Sequence, residues 1–222
     1  MSVCYHEILV MQIDLIFSLG VLFFSVILHE VAHGYMANYL GDPTARLQGR
    51  LTLNPLSHID PIGSVILPAI LALSHAPIIG YAKPVPYNPY NLPGKYDETL
   101  VAFAGPGTNL AIALLFGLMI RFGAVSMSPA LLNALATIVF INLILALFNL
   151  IPIPPLDGSK VLSGILPGAL ARSYDHFRVN FERIGIFSGT LLLLILVYFL
   201  SSYFYAAALF FFTLITGQGV GF

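Results

Sequence analysis

Charged side chains are scarce in this chain of 222 residues: Asp, Glu, Lys and Arg together make up 9%, whereas 58% of the residues are hydrophobic. A soluble globular domain carries about 25% charged residues. The composition therefore excludes an ordinary soluble domain and predicts a polytopic membrane protein. The length predicts a single integral membrane domain over residues 1–222, without a separate soluble module.

Basic clusters and cysteine pairs are also missing. The net charge is −1 and no basic run occurs, which excludes nucleic acid as a partner. Cys4 is the only cysteine, so an internal disulfide and a thiolate metal cage are excluded. No Lys or Arg precedes Arg46, so the first apolar segment lacks the basic flank of a cleavable signal peptide, and we expect it to be retained.

Long apolar runs predict an all-α membrane protein with about five to six membrane helices. The first run extends from about Ile8 to Leu40, and clear spans follow at about 98–121 and 129–150. The piece at 62–77 contains Pro68 and is marginal as a membrane span. It either crosses the bilayer or dips in and returns.

The last apolar run, Ile184 to Ile215, predicts either a helical hairpin or one span over residues 179–217. As one straight helix it would be about 48 Å long, which exceeds the roughly 30 Å hydrocarbon core of a bilayer. We therefore expect a break near Ser201-Ser202.

Two segments predict a small β-hairpin or strand element. Arg50–Leu53 alternates polar and apolar residues, and Ala82–Tyr87 lies in a stretch rich in Pro and Asn. A solvated loop is the alternative for the second segment.

The distribution of basic residues predicts the topology. If 62–77 does not cross the membrane, Arg121 falls alone on one side. The other side then holds Arg46, Arg50, Lys83, Lys95, Lys160, Arg172, Arg178 and Arg183. The positive-inside rule makes that side cytoplasmic, so we expect the N-terminus outside and the stretch 149–160 near the cytoplasmic face.

An HExxH motif, His29-Glu30-Val31-Ala32-His33, lies inside the first apolar run. Residues four apart share a helix face, so both imidazoles can reach one ion. A hydrolytic Zn²⁺ site needs three protein ligands and an open position for water, and Glu30 can accept the proton of that water. Ionisable groups are costly in lipid unless a compensating charge is present, which favours a metal site over two hydrogen-bonded histidines.

The third ligand must come from elsewhere in the chain. Asp157 follows the stretch "NLIPIPP", whose prolines forbid a regular helix. Non-helical backbone at membrane depth is tolerated only where it lines a cavity or is buried in protein, so we expect a Pro-broken helix at the site. The other histidines and carboxylates considered are Asp14, His58, Asp60, His75 and His176. Of these, His58 and Asp60 are expected to form a turn before Pro61, with gating or a second metal as the alternative.

Three motifs in this order resemble the site-2 protease family of intramembrane zinc metalloproteases: the HExxH, Gly105-Pro106-Gly107-Thr108-Asn109, and Asn149-x-x-Pro152-x-Pro154-x-x-Asp157-Gly158. The resemblance covers about residues 13–166. It is closest to a compact prokaryotic subgroup without a PDZ or other regulatory domain. This implies a multi-pass protein of a prokaryotic cell membrane, with its active site nearer the cytoplasmic face.

The resemblance also implies roles for individual residues. His29, His33 and Asp157 map onto the ligands of one Zn²⁺ per chain, and Glu30 onto the general base. Asn149 maps onto a polar residue with an oxyanion-stabilising or substrate-positioning role. Asn109 maps onto a polar residue near the site, where interhelical hydrogen bonding is the alternative.

The expected substrates are transmembrane proteins in a lipid bilayer. A transmembrane helix hides its carbonyl groups in hydrogen bonds, so it must unwind before hydrolysis. Residues Lys83, Pro84 and Val85 are candidates for positioning the unwound segment by β-augmentation. A metal-ion transporter and a catalytically idle scaffold are the rival classes. The substrate, a requirement for prior cleavage and the oligomeric state stay open.

Overall fold

A computed structural model of the protein describes residues 2–60, 83–183 and 186–218, together with the single positions 63, 66 and 73. Within these ranges the regular structure is helical, as predicted. The α-helices are α1 (Ser2–Tyr39), α2 (Thr44–Leu47), α3 (Asp97–Gly123), α4 (Pro129–Asn149), α5 (Asp157–Ile165), α6 (Gly168–Arg183) and α7 (Ile186–Thr216). Short 3₁₀ turns occur at Pro55–His58, Pro89–Asn91 and Ala124–Ser126.

Four stretches of helix in the described ranges are long and apolar enough to cross a membrane: Asp14–Tyr39, Asp97–Ser126, Pro129–Asn149 and Tyr198–Thr216. The spans predicted at 98–121 and 129–150 are confirmed by α3 and α4. The described part of the chain therefore accounts for four of the five to six expected membrane helices. Most of the marginal piece at 62–77 lies outside the described residues.

The break expected at Ser201-Ser202 is wrong. Both serines lie inside α7, which continues from Ile186 to Thr216. The Ser201 hydroxyl donates a hydrogen bond to the Tyr198 carbonyl in the same helix, 3.4 Å away. Serine that bonds back to its own helix interrupts no backbone bond, so the helix can continue. With 31 residues, α7 is about 46 Å long and exceeds the thickness of the hydrocarbon core.

The predicted strands are also wrong for the residues that the structure describes, since neither Arg50–Leu53 nor the described part of Ala82–Tyr87 is a strand. Side chains form hydrogen bonds with backbone N–H and C=O groups that would otherwise pair between two strands. The Arg50 guanidinium donates to the Lys83 carbonyl at 2.8 Å, and Glu30 accepts the Val85 N–H at 2.9 Å. The result is an irregular segment held against α1.

Helix α3 occupies the centre of the fold and packs against α1, α4, α5 and α7. The main apolar core contains Ala113 and Ile120 from α3, Leu135, Val139 and Leu143 from α4, and Ala208 and Phe212 from α7. Because α1 and α5 both contact α3, side chains that are distant in sequence can meet along one face of this central helix.

Candidate metal centre

His29, His33 and Asp157 form one cluster. The Nε2 atoms of the two imidazoles are 3.0 Å apart, and Asp157 Oδ2 lies 3.1 Å from His29 Nε2 and 3.3 Å from His33 Nε2. One ligand atom from each residue lies within 4.8 Å of the others. In the described part of the chain, this is the group of His, Cys, Asp and Glu side chains able to hold a metal ion.

The chain brings Asp157 to the histidines through the Pro-rich break. Helix α4 ends at Asn149, and the backbone is irregular until Asp157 begins α5, as expected for a Pro-broken helix at the site. Gly158 lets α5 start against the end of α4, because a Cβ there would lie 2.5 Å from the Ile151 carbonyl oxygen. Such a contact is too short for any side chain, so the position requires glycine.

Gly105 allows α3 to approach the imidazoles closely. A Cβ at this position would lie 2.6 Å from His29 Nε2 and would also overlap the His33 ring. The absence of a side chain at Gly105 therefore leaves the space beside the two Nε2 atoms open.

Outer hydrogen bonds fix the orientation of both imidazoles. His29 Nδ1 lies 2.6 Å from Asn109 Oδ1, and His33 Nδ1 lies 2.7 Å from the Val101 carbonyl oxygen. Because the carbonyl of Val101 can only accept, the His33 ring donates from Nδ1. The amide oxygen of Asn109 likewise accepts from His29 Nδ1. Each Nε2 then has a free lone pair toward the cluster, which is the usual arrangement of metal-binding histidines.

The three residues fit a Zn²⁺ ion. Zinc binds nitrogen and carboxylate oxygen at about 2.0–2.2 Å in a tetrahedron, which sets neighbouring donors about 3.3 Å apart. The observed separations of 3.0, 3.1 and 3.3 Å are close to that spacing. Burial alone would raise the pKa of Asp157, but when the imidazoles are protonated, hydrogen bonds and charge from His29 and His33 hold it well below its usual range. Metal binding requires this carboxyl to be ionised and the imidazoles to be neutral.

A cleft of about 230 Å³ opens beside the cluster and contains Glu30. The Glu30 carboxylate accepts a hydrogen bond from the Val85 N–H at 2.9 Å. Pro84, Val85 and Asn149 also line this cleft. The Glu30 carboxylate, the three candidate ligand atoms and an open space thus share one compartment.

Comparisons with known proteins agree with this geometry. The sequence model of Peptidase family M50 matches residues 118–196. YwhC of Bacillus subtilis is 39% identical over 152 residues, which cover 64% of this chain and 66% of YwhC. Rip2 of Mycolicibacterium smegmatis is 35% identical over 143 residues, which cover 62% of this chain and 52% of Rip2.

The chain belongs to peptidase family M50.

Zinc metalloprotease MJ0392 of Methanocaldococcus jannaschii, 29% identical over 145 residues, matches 65% of this M50 chain and 33% of its own length. The words "zinc metalloprotease" also occur in the names of YwhC and Rip2. The matched parts thus span between about a third and two thirds of these relatives. No solved structure matches the chain significantly.

The remaining predicted site residues of this M50 protein differ in their position relative to the cleft. Asn149 lines the cleft, and its Nδ2 donates to the Leu145 carbonyl of its own helix at 2.9 Å. Asn109 is fully buried behind His29, on the side away from the cleft. Lys83 is exposed at the edge, with its carbonyl held by Arg50.

The other candidate histidines and carboxylates that the structure describes lie outside the cluster. His58 is buried and bonds through Nε2 to the Thr52 carbonyl at 2.8 Å. Asp60 accepts the Gly63 N–H at 2.7 Å, as expected for a turn. Asp14 is exposed on α1 and His176 is exposed on α6. His75 lies outside the described residues.

Sequence reasoning missed several residues around this M50 site. Lys160 lines the cleft and holds its ammonium group 5.1 Å from the centre of the Tyr87 ring. Its position three residues after Asp157 on a helix was the available signal, because such residues share a face. Asn142 and Ser25 are buried beside Asn109. Asn142 stands about two helical turns before Asn149 on α4, a spacing that also places residues on one face.

Proposed function

We propose that this M50 protein is an intramembrane zinc endopeptidase that hydrolyses peptide bonds in locally unwound transmembrane segments. The observation that carries the proposal is the cluster of His29, His33 and Asp157, with Glu30 in the same cleft. The two histidines and Glu30 belong to a helix that is apolar enough to span a bilayer.

His29 and His33 Nε2 and the Asp157 carboxylate would hold the ion beside the cleft that contains Glu30. When bound, Zn²⁺ lowers the pKa of a coordinated water toward 7 and polarises a carbonyl group. The Glu30 carboxylate accepts the proton of the attacking water and passes it to the leaving amine. Because the Val85 N–H holds one Glu30 oxygen in place, the second oxygen can take the proton.

Asn149 would bind the substrate carbonyl, since it lines the cleft. An amide nitrogen has two N–H groups, and one of them is directed to the Leu145 carbonyl. The second N–H can donate to the carbonyl oxygen of the scissile bond, on which negative charge develops during hydrolysis.

The irregular segment that contains Lys83, Pro84 and Val85 is the proposed place for substrate contact. Pro84 and Val85 line the cleft, so an unwound backbone entering it would pass beside them. The substrates would be membrane-spanning proteins, because three of the four helices with span-like composition surround the site. With 62–77 not crossing the membrane, the positive-inside rule would put the cleft nearer the cytoplasmic face.

The test replaces Glu30 with Gln and leaves the metal ligands unchanged. Proteoliposomes containing the wild-type chain should cleave a transmembrane peptide, and Glu30→Gln should reduce kcat by at least about 10²-fold, the lower range for loss of a general base, with zinc still bound. Asp14→Asn is the matched control, because this exposed carboxylate lies on the same helix far from the site; it should cleave normally. Zinc flux into the liposomes without cleavage would contradict the proposal and favour a transporter.

A further inference from the structure

A chain of buried amide groups continues from His29 into the interior of the helix bundle. Asn109 Oδ1 bonds His29 Nδ1, and Asn109 Nδ2 donates to Asn142 Oδ1 at 2.9 Å. Asn142 Nδ2 in turn donates to the Ser25 hydroxyl at 3.0 Å and to the Ile138 carbonyl at 2.9 Å. These side chains come from α1, α3 and α4, and both asparagines are fully buried.

The two donor bonds of Asn142 determine which way its amide points. The Ile138 carbonyl can only accept, so the Asn142 nitrogen must lie on its side, where the Ser25 hydroxyl also accepts, and the Asn142 oxygen faces Asn109. Asn109 can satisfy that oxygen only with its nitrogen, and this leaves the Asn109 oxygen toward His29. The orientation of His29 therefore depends on Asn142, which does not touch His29 but bonds to its partner, Asn109.

We propose that Asn142 is a positioning residue for the metal centre: it sets the amide of Asn109, which holds the proton of His29 on Nδ1 and leaves Nε2 for the ion. The inference rests on the proposed function, since the ion is the one that the peptidase would use. Asn142 has no exposed surface and does not line the cleft, so it acts on the metal and not on the substrate.

Asn142 is the main support of this orientation, although Asn109 Nδ2 has a second acceptor. The Ser25 carbonyl oxygen lies 3.4 Å from Asn109 Nδ2, against 2.9 Å for Asn142 Oδ1. Hydrogen bonds weaken as this distance grows. Without Asn142 the Asn109 amide would keep only the longer bond and could rotate so that its nitrogen faces His29.

The experiment is a double-mutant cycle on zinc affinity, measured by chelator competition with the full chain in detergent. Loss of an outer partner of a metal ligand costs about 10- to 100-fold in metal affinity, so Asn109→Leu should fall in that range. Asn142→Leu should weaken zinc binding about 10-fold. If Asn142 acts through Asn109, the double variant should bind zinc no more than about twofold more weakly than Asn109→Leu alone.

The control and a second readout separate positioning from general damage to the bundle. Asn133→Leu makes the same change at an exposed position of α4 and should leave zinc affinity unchanged. The visible spectrum of the Co²⁺-loaded protein, which reports coordination geometry, should change for Asn142→Leu and not for Asn133→Leu. If the leucine variant does not fold, Asn142→Ala replaces it in the same double-mutant cycle, because alanine is a strong helix former.

Wild-type zinc affinity in the Asn142 variants, or losses that add in the double variant, would overturn the proposal. Zinc affinity is measured without a substrate, so the two proposals fail separately. A chain that binds zinc but cleaves nothing contradicts only the peptidase function. A chain that cleaves, with zinc affinity indifferent to Asn142, contradicts only the positioning role.

Discussion

The Asp157 carboxylate lies 3.1 Å from His29 Nε2, although 128 positions separate the two residues in the chain. His29 belongs to α1 and Asp157 begins α5, and both helices pack on α3. Neither helix alone holds all three candidate ligands, so the cluster forms only when both helices have packed on α3.

Gly105→Ala should weaken zinc binding. The added Cβ would lie 2.6 Å from His29 Nε2 and would overlap His33, so the imidazoles or α3 must move. We expect zinc affinity to fall at least about 10-fold, as for other losses of ligand orientation. Gly107→Ala is the control on the same helix, because its Cβ would meet only the movable Phe103 ring at 3.2 Å. Equal zinc affinities of the two variants, determined by chelator competition, would refute this explanation of Gly105.

Asp42→Asn should detach the segment beside the cleft from the end of α1. The buried Asp42 carboxylate accepts bonds from the Asn88 N–H at 2.6 Å, from Asn91 Nδ2 at 2.8 Å and from Thr44. Hydrogen bonds to a charged group contribute about 1.5–3 kcal/mol each, so the variant should lose on the order of 2 kcal/mol of unfolding free energy. Thermal denaturation in detergent measures the loss, and limited proteolysis should cut near residues 83–91 faster. Asp97→Asn, which removes a half-buried carboxylate bonded only to the Gly94 N–H in a solvent-exposed hydrogen bond, should change both far less.

The contribution of Asp42 should disappear in acid. Burial alone would raise the pKa of Asp42, but the hydrogen bonds from Asn91, Thr44 and Asn88 lower it below its usual value. A carboxyl with a lowered folded-state pKa stabilises the protein above its unfolded pKa of about 3.9 and loses that contribution as the pH falls through the folded-state value. The stability difference between the wild type and Asp42→Asn should therefore be constant near neutral pH and shrink below about pH 4. A difference that grows on acidification would contradict this assignment.

Lys160 and Tyr87 should be energetically coupled, because the Lys160 ammonium lies 5.1 Å from the centre of the Tyr87 ring. Cation–π pairs contribute about 0.5–1 kcal/mol at exposed sites and about 2 kcal/mol when desolvated. A double-mutant cycle with Lys160→Met and Tyr87→Leu should give about 1 kcal/mol of coupling in the free energy of unfolding. The Lys95–Tyr96 pair, at 4.9 Å with a half-exposed ring, is the comparison and should couple more weakly. Equal coupling in the two pairs would contradict a role for burial.

Much of the fold follows from local sequence. The spans of α3 and α4 were predicted within a few residues, because a long apolar run can satisfy its backbone groups in lipid only as a helix. The break expected at Ser201-Ser202 followed from the length of the apolar run, but a helix can be longer than the hydrocarbon core, and α7 continues through both serines. The strand predictions at 50–53 and 83–87 failed because alternation does not show which partner will take the backbone bonds. Here Arg50 and Glu30 take them.

The sequence by itself determined the membrane character and the HExxH face of α1, since both depend on residues close together in the chain. It also indicated Asp157 as the candidate third ligand, through the resemblance of its Pro-rich surroundings to a known family. Only the tertiary structure decided that Gly105 leaves room for both imidazoles, that Glu30 holds the Val85 N–H, and that Asn142 supports Asn109. These relationships depend on the distance between helices and on the direction of each amide, and packing fixes both after the spans have formed.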